Sequence, residues 1–219
     1  AMAVSGVLSG NVIINTIRAD IVDSEVTSSA GSVSLDAATD SGIIALTVGV
    51  GASQYVSISA TGFGNVITGT IAAAIKGESV EAAGGIDLSA ADRSRISSAA
   101  LSIAGSGTVA ITVIIGANVI ANSVIAAIDG ATVTAGNGLD VGAETNSAIY
   151  SFAGGAAFST VAGAATLAAN TVTNTTEARV RNSIATAGSA AVRASDAATI
   201  QSLAGALTIG GGGLGAAAA

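Results

Sequence analysis

The sequence predicts an all-β fold, a parallel β-solenoid (β-helix) in which four repeats of about 53 residues stack on one another. Three observations support this prediction: apolar residues alternate with a period of two, similar residues recur at a fixed spacing, and the composition favours strands. Half of the 219 residues are apolar, yet only 2% are aromatic, and the chain has 29 glycines but no proline, cysteine, histidine or tryptophan. Small and β-branched side chains of this kind suit thin, pleated layers.

The first recurring element is a strand in which asparagine returns every 52 to 54 residues, with a second asparagine or a glycine four residues later. The residues at even offsets between and after them are apolar except Thr176, and a period of two is that of a strand. Stacked asparagine side chains can hydrogen-bond to one another along a β stack. We therefore predict a structural ladder formed by Asn11, Asn65, Asn118, Asn170, Asn15, Asn122 and Asn174.

A turn and two further strands follow in each unit. Asp129-Gly130 and Lys76-Gly77 are favourable turn pairs. A short strand comes next, then a glycine-rich corner, then a strand that places an isoleucine at the same position of every unit. We predict that these isoleucines form core columns: Ile43, Ile96, Ile149 and Ile200.

These elements divide the chain into four units of one repetitive segment, at about residues 4–57, 58–110, 111–163 and 164–219. Both termini are interpreted as cuts through a longer array. Two alternatives stay open. A unit could form one wide coil or two narrow coils of about 26 residues, and Asp129-Gly130 could instead close a tight hairpin, which would give antiparallel repetitive β layers.

The rest of each unit is rich in alanine, glycine, valine and serine. The run from Ala99 to Val113 is apolar at both parities, and a strand of this kind is normally covered on both faces. We therefore expect self-association, or contact with neighbouring repeats of a longer parent chain.

Charge and residue types exclude several functions. Seven basic residues, scattered along a chain of net charge −7, do not form a nucleic-acid surface. Without histidine and cysteine, a Ser-His-Asp triad and the usual zinc sites are excluded. The acidic residues are interpreted as solvated corners. The sequence therefore predicts no enzyme, no cofactor and no metal site.

One uncharged stretch, Thr108 to Ile128, is long enough for a membrane-spanning helix. Its valine and isoleucine content, its asparagines and the charges at matching positions of other units favour a strand. We predict no membrane span in this segment.

Three short motifs carry a family resemblance: Asn118-Val119-Ile120, Val133 to Gly136 and Ser151 to Gly155. With their counterparts in the other units, they resemble the repeat region of filamentous-haemagglutinin-like and leukotoxin-like adhesins, which are very large secreted bacterial exoproteins. The resemblance covers nearly the whole chain. It implies a β-helical stalk or fibre segment, secreted or on the cell surface, whose parent protein binds host or surface ligands.

Two other classes of function are kept as alternatives. A carbohydrate-binding or carbohydrate-active β-helix would show a clustered acidic groove. An ice- or mineral-binding surface would need a flat, regular threonine array, and one column of hydroxyl residues hints at it: Thr16, Thr70, Ser123 and Thr175.

Overall fold

The structure, a computed structural model, describes all residues from 1 to 219 and contains strands but no helix. The predicted all-β class is confirmed. The fourteen strands are β1 (Met2–Val22), β2 (Val26–Ser28), β3 (Val33–Thr39), β4 (Gly42–Ser53), β5 (Val56–Lys76), β6 (Ser79–Ala82), β7 (Ile86–Asp92), β8 (Arg95–Ser106), β9 (Val109–Asp129), β10 (Thr132–Phe158), β11 (Val161–Val172), β12 (Thr175–Arg181), β13 (Ile184–Ile209) and β14 (Gly212–Ala218).

The strands form two sheets. Sheet A has the order β1, β5, β9, β11 and β14, and β12 also pairs with β9 beyond the end of β11. Sheet B begins with the short strands β2, β3 and β4, continues with β6, β7 and β8, and ends with the long strands β10 and β13. The chain thus passes alternately through the two sheets.

All strand pairs are parallel, so the antiparallel alternative is wrong. The turn at Asp129-Gly130 does not close a hairpin, because it carries the chain from β9 in sheet A to β10 in sheet B. Gly130 has a φ of +67° at this corner, a backbone conformation that glycine adopts without steric cost.

The pairing register follows the spacing seen in the sequence. Asn11 pairs with Asn65, and Asn65 pairs with Asn118. Each strand therefore pairs with the strand one full unit away, after one passage through each sheet. Pairing over half a unit, as two narrow coils of about 26 residues would require, does not occur. The predicted unit boundaries at 57/58, 110/111 and 163/164 fall inside β5, β9 and β11.

The two sheets face each other, and the main hydrophobic core lies between them. Side chains at alternate positions of each strand point inward, as the period of two predicts. The largest core cluster combines branched aliphatic residues from both sheets, among them Ile71, Ile75, Val124 and Ile128 from sheet A and Val80, Ile86, Leu88, Val133, Leu139 and Val141 from sheet B.

Two motifs meet across the middle of the molecule, and we call this region the seam. On sheet A it comprises residues 11–15, 65–69, 118–122 and 170–174, with the pattern Asn-x-Ile-x-Asn or a close variant. On sheet B it comprises residues 41–45, 94–98, 147–151 and 198–202, with the pattern Ser-x-Ile-x-Ser or a close variant.

The seam separates two halves of very different charge. Every charged side chain except Arg95 lies on one side, the charged half, which comprises residues 16–40, 70–93, 123–146 and 175–197. The other side has no charged residue. This uncharged half comprises residues 1–10, 46–64, 99–117, 152–169 and 203–219.

Candidate functional site

The first asparagine column forms a continuous ladder of side-chain hydrogen bonds within the seam. The Nδ2 of Asn11 donates to Oδ1 of Asn65 at 2.8 Å, Asn65 donates to Asn118 at 2.8 Å, and Asn118 donates to Asn170 at 2.7 Å. Asn65 is 0% exposed. The inner amides both donate and accept along the stack, which satisfies polar groups that would otherwise be costly to bury.

The second asparagine column does something different from the predicted ladder. Asn15 donates to Ser41 at 2.9 Å, and Asn174 donates to Ser147 at 3.1 Å, both across to sheet B. Asn122 likewise donates to sheet B, to Ser94 at 2.9 Å and to Asp92 at 2.8 Å. The column lacks a side-chain amide at the second unit, where Gly69 stands, so a continuous ladder cannot form there.

The serines of sheet B also form hydrogen bonds in the seam, and the sequence analysis did not predict this. Ser98 accepts a hydrogen bond from Asn118 at 2.9 Å, and Ser202 accepts one from Asn170 at 2.9 Å. The signal was present, because these serines recur two residues before or after the predicted isoleucine column. What the sequence did not indicate is that they face the asparagines.

The isoleucine columns are buried in the seam, with one exception. Ile43, Ile96 and Ile149 pack against Ile67 and Ile120 of sheet A. Ile200, by contrast, is 46% exposed, so its prediction as a core residue is wrong for this chain. It lies on β13, which pairs with β10 on one side only and has no further strand of sheet B over it.

Inside the uncharged half, the two sheets pack through small side chains. The interior positions are mostly alanine, serine, threonine and glycine, and a Cβ atom placed on Gly49 would lie 2.5 Å from Oγ1 of Thr61 on the facing sheet. Phe63 is an exception, and its ring occupies the space that the missing side chain of Gly116 leaves. Four buried hydroxyls in this interior have no hydrogen-bond partner: those of Thr47, Ser57, Thr61 and Thr112.

The outer surfaces of the uncharged half carry the large apolar side chains. The outer surface of sheet B, which we call face B, exposes Leu46, Val48, Val50, Leu101, Ile103, Phe152, Phe158, Leu203, Leu207 and Ile209. The outer surface of sheet A, face A, exposes Met2, Val4, Leu8, Ile111, Ile115, Val161 and Leu167. A sheet with one face in water normally places its polar residues there, and here that pattern is reversed.

Face B also contains a shallow groove of about 480 Å³ at its border with the seam. Leu46, Phe152 and Leu203 line it together with Ile44 and Tyr150 of the seam. Ile44 is 91% exposed. The Arg95 guanidinium lies 5.8 Å from the centroid of the Tyr150 ring, so the charge nearest to face B is held at its border.

The charged half has an ordinary polar outer surface. Asp87 of β7 pairs directly with Asp140 of β10, and Arg193 approaches Asp140 at 3.0 Å. Asp87 is exposed, but partial desolvation raises the pKa of its carboxyl above the ordinary value, and the negative charges of Asp140 and Asp36 raise the pKa further. No three acidic side chains lie close enough together to hold a metal ion.

The column proposed for ice or mineral binding is in register, since Thr16, Thr70, Ser123 and Thr175 pair successively on sheet A. The column two residues further on contains Arg18, Ala72, Ile125 and Glu177. The hydroxyls therefore stand as a single row beside a mixed column.

The chain has no helix with the length and hydrophobicity needed to cross a membrane. No protein-family model matches the chain, and no curated protein or solved structure matches it either.

Proposed function

We propose that the chain is a parallel β-solenoid with one wide coil per unit of about 53 residues, and that it serves as a structural stalk or fibre segment of a large secreted or cell-surface bacterial exoprotein. No residue has a catalytic role in this proposal. The observation that carries it is the in-register parallel pairing of units through both sheets. Like residues stack on like residues, as in repeat proteins that grow along one axis.

The hydrogen bonds of such a stack lie along its long axis. Of the 151 backbone hydrogen bonds, 131 join residues of the strands, and bonds between parallel strands run across the strand direction at a slant. The asparagine ladder adds side-chain bonds in the same direction. A load along the axis is therefore shared by many parallel bonds in each coil, which suits a stalk.

The seam fixes how the coils align. A shift of one residue in a strand would turn every side chain to the opposite face of its sheet. In β9, such a shift would turn Asn118 outward and would leave Ser98 without its donor. Because buried polar groups without partners are costly, the seam favours one register. This supports a segment that is extended by adding identical units.

The location at the cell surface or in the medium is supported by the resemblance of Asn118 to Ile120, Val133 to Gly136 and Ser151 to Gly155 to the adhesin repeats. The rise per coil supports a large parent protein. Neighbouring strands lie about 4.8 Å apart, so four coils add only about 19 Å of length. A stalk of useful reach needs many such units.

Small-angle X-ray scattering of one copy and of a tandem fusion of two copies tests the proposal. The fusion should be longer by about 19 Å along one axis, at an unchanged cross-section. Two separate bodies joined by a linker, or a cross-section that grows with chain length, would contradict it. Antibody labelling of intact cells of the source organism tests the location, and labelling that requires permeabilised cells would refute it.

A further inference from the structure

The outer surface of the uncharged half is apolar, which is unusual for a surface in contact with water. On faces A and B most of the large apolar side chains point outward, whereas the interior behind them holds mainly alanine, serine and threonine, with Phe63 and Ile114 as exceptions. Leu8 on face A is 89% exposed, and Leu46 on face B is 70% exposed. The charged half, built on the same strands, has the ordinary arrangement. The apolar exterior is therefore a property of one half and not of the whole fold.

We infer that copies of this chain stack on one another through faces A and B, sheet against sheet, with only their uncharged halves overlapping. This inference rests on the proposed role as a structural segment, and it names the partner as a second copy of the same chain. The charged halves would then project into water at the margins of the stack.

The area of the faces is sufficient for such contacts. Face A has five outward columns and face B has four, on four or five strands. With columns about 6.6 Å apart and strands about 4.8 Å apart, the projected area is on the order of 600 Å² for each face. One face-to-face contact would then bury on the order of 1,200 Å² in total, the lower end of stable interfaces. Contacts on both faces bury on the order of 1,200 Å² of each chain.

The shape of the faces also fits a second copy. Both faces are sheet surfaces without covering loops, and two sheets pack well at about 10 Å when their strand directions are nearly aligned. The groove between Leu46, Phe152 and Leu203 offers a recess on face B. The exposed leucines and isoleucines of a facing copy supply side chains of the size that fills it.

Charge determines how far the copies overlap. All acidic residues lie in the charged half, and the chain carries a net charge of −7. Full overlap would place charged halves of like net sign against each other, which is unfavourable. Overlap of the uncharged halves alone, with the charged halves on opposite sides, removes this repulsion and covers the apolar faces.

A lipid bilayer is the competing occupant, and the far edge of the uncharged half disfavours it. The turns there expose the polar residues Gln54, Thr108 and Thr160. A bilayer that covered faces A and B would also enclose this edge, and unpaired polar groups are costly in hydrocarbon. Two stacked sheets cover the faces and leave the edge in water.

Sedimentation velocity over a concentration series tests the inference, with lysine introduced at exposed positions of each face. The face B variant carries Leu46→Lys and Leu203→Lys, and the face A variant carries Leu8→Lys and Leu167→Lys. A charge-matched control carries Ser34→Lys and Thr186→Lys, exposed positions on the charged half of sheet B. Circular dichroism verifies that each variant keeps the β spectrum of the unmodified chain.

The unmodified chain should form species larger than a dimer, because two faces are available. Each single-face variant should form smaller species than the unmodified chain, a dimer where like faces meet or a monomer where face A meets face B. The four-lysine combination should sediment as a monomer of 20.5 kDa, and the control should associate like the unmodified chain. A monomeric unmodified chain would overturn the inference. So would association that persists in the four-lysine variant, which would place the contact at the open strand edges.

Flotation with phosphatidylcholine vesicles separates the lipid alternative. No binding is expected, and a monomeric chain that floats with the vesicles would overturn the inference in favour of lipid. Failure of stacking leaves the stalk proposal intact if the tandem fusion still lengthens along one axis. Failure of that lengthening removes the stalk proposal, whatever the association state.

Discussion

The charged and uncharged halves share their strands and their parallel hydrogen-bonding, yet they place apolar side chains on opposite sides. In the charged half, branched residues such as Leu88 and Ile128 fill the space between the sheets. In the uncharged half, small residues such as Ala104 and Ala157 fill most of it, and most of the large apolar side chains lie on the outer surfaces. The backbone hydrogen bonds between parallel strands therefore do not by themselves determine which face of a sheet is apolar.

The difference assigns separate roles to the halves. The charged half and the seam contribute the internal core and the register, because they bury the large aliphatic side chains and the hydrogen-bonded amides. The uncharged half has a thin interior and contributes faces A and B, through which we propose that copies of the chain assemble. Variants that remove these features one at a time test the comparison.

The largest contrast is between two leucines, one inside and one outside. Leu88→Ala should lower the free energy of unfolding by about 2–5 kcal/mol, because Leu88 is fully buried and its loss leaves a cavity. Leu46→Ala should change it by less than about 0.5 kcal/mol in the monomer, because the side chain is exposed. Urea unfolding of both variants at low protein concentration measures this. Equal losses would mean that face B is buried within the monomer.

The next effect concerns the asparagine ladder. Asn118→Leu should lower the free energy of unfolding by about 1–3 kcal/mol, because it leaves Asn65 without its acceptor and Ser98 without its donor. The control is Ser123→Ala, at the opposite parity of the same strand, which should cost little. Comparable losses in thermal or urea unfolding at both positions would contradict the assignment of Asn118 to the inward face and Ser123 to the outward face of β9.

A smaller effect separates satisfied from unsatisfied hydroxyls in the uncharged half. Thr112→Val should be neutral or slightly stabilising, since the buried hydroxyl has no partner. Ser102→Ala should cost about 1 kcal/mol, since Ser102 donates to Ser59 at 2.8 Å. Urea unfolding of the two variants measures the difference. A clear loss in Thr112→Val would contradict the interpretation that this interior tolerates apolar contacts.

The smallest effect is the pH dependence that Asp87 contributes. Its pKa is raised in the folded state, so the folded chain holds the proton more tightly than the unfolded chain. The contribution of Asp87 therefore increases stability as the pH falls through the raised value, and the gain is complete below the ordinary value of 3.8.

Asp87→Asn removes this contribution and should be more stable than the unmodified chain at neutral pH. The advantage should shrink as the pH is lowered, and Asp196→Asn, which lies outside the group formed by Asp36, Asp87 and Asp140, serves as the control. Thermal unfolding of the three proteins at several pH values measures it. An advantage that stays constant with pH would show that the carboxyl is not responsible.

Much of the fold could be predicted because the strand periodicity and the spacing of the units can be recognised from individual recurring residues. The asparagines at 11, 65, 118 and 170 recur at the spacing at which their strands pair. Identical residues of successive units become neighbours in adjacent parallel strands when every unit has nearly the same length. The parallel direction, the inward parity and the first ladder follow from this local regularity.

The cross-sheet partners could not be predicted in the same way. Asn118 and Ser98 are 20 residues apart, and Asn15 and Ser41 are 26 residues apart. Those contacts depend on where each turn directs the chain and on how closely the sheets approach. Neither quantity is encoded in the residues that make the contact. The exposure of Ile200 also depends on the number of stacked strands and not on its own repeat position.

The sequence alone determined the strands, their spacing and the existence of charged and uncharged stretches, because each is a property of local order along the chain. Only the tertiary structure decided that the uncharged stretches of all units gather on one side of a seam, with their large side chains outward. That outcome depends on the facing sheet, because the small residues of one strand leave space that only the small residues of the opposite strand can fit. The apolar outer surface of the uncharged half is therefore a product of two sheets and cannot be inferred from either one alone.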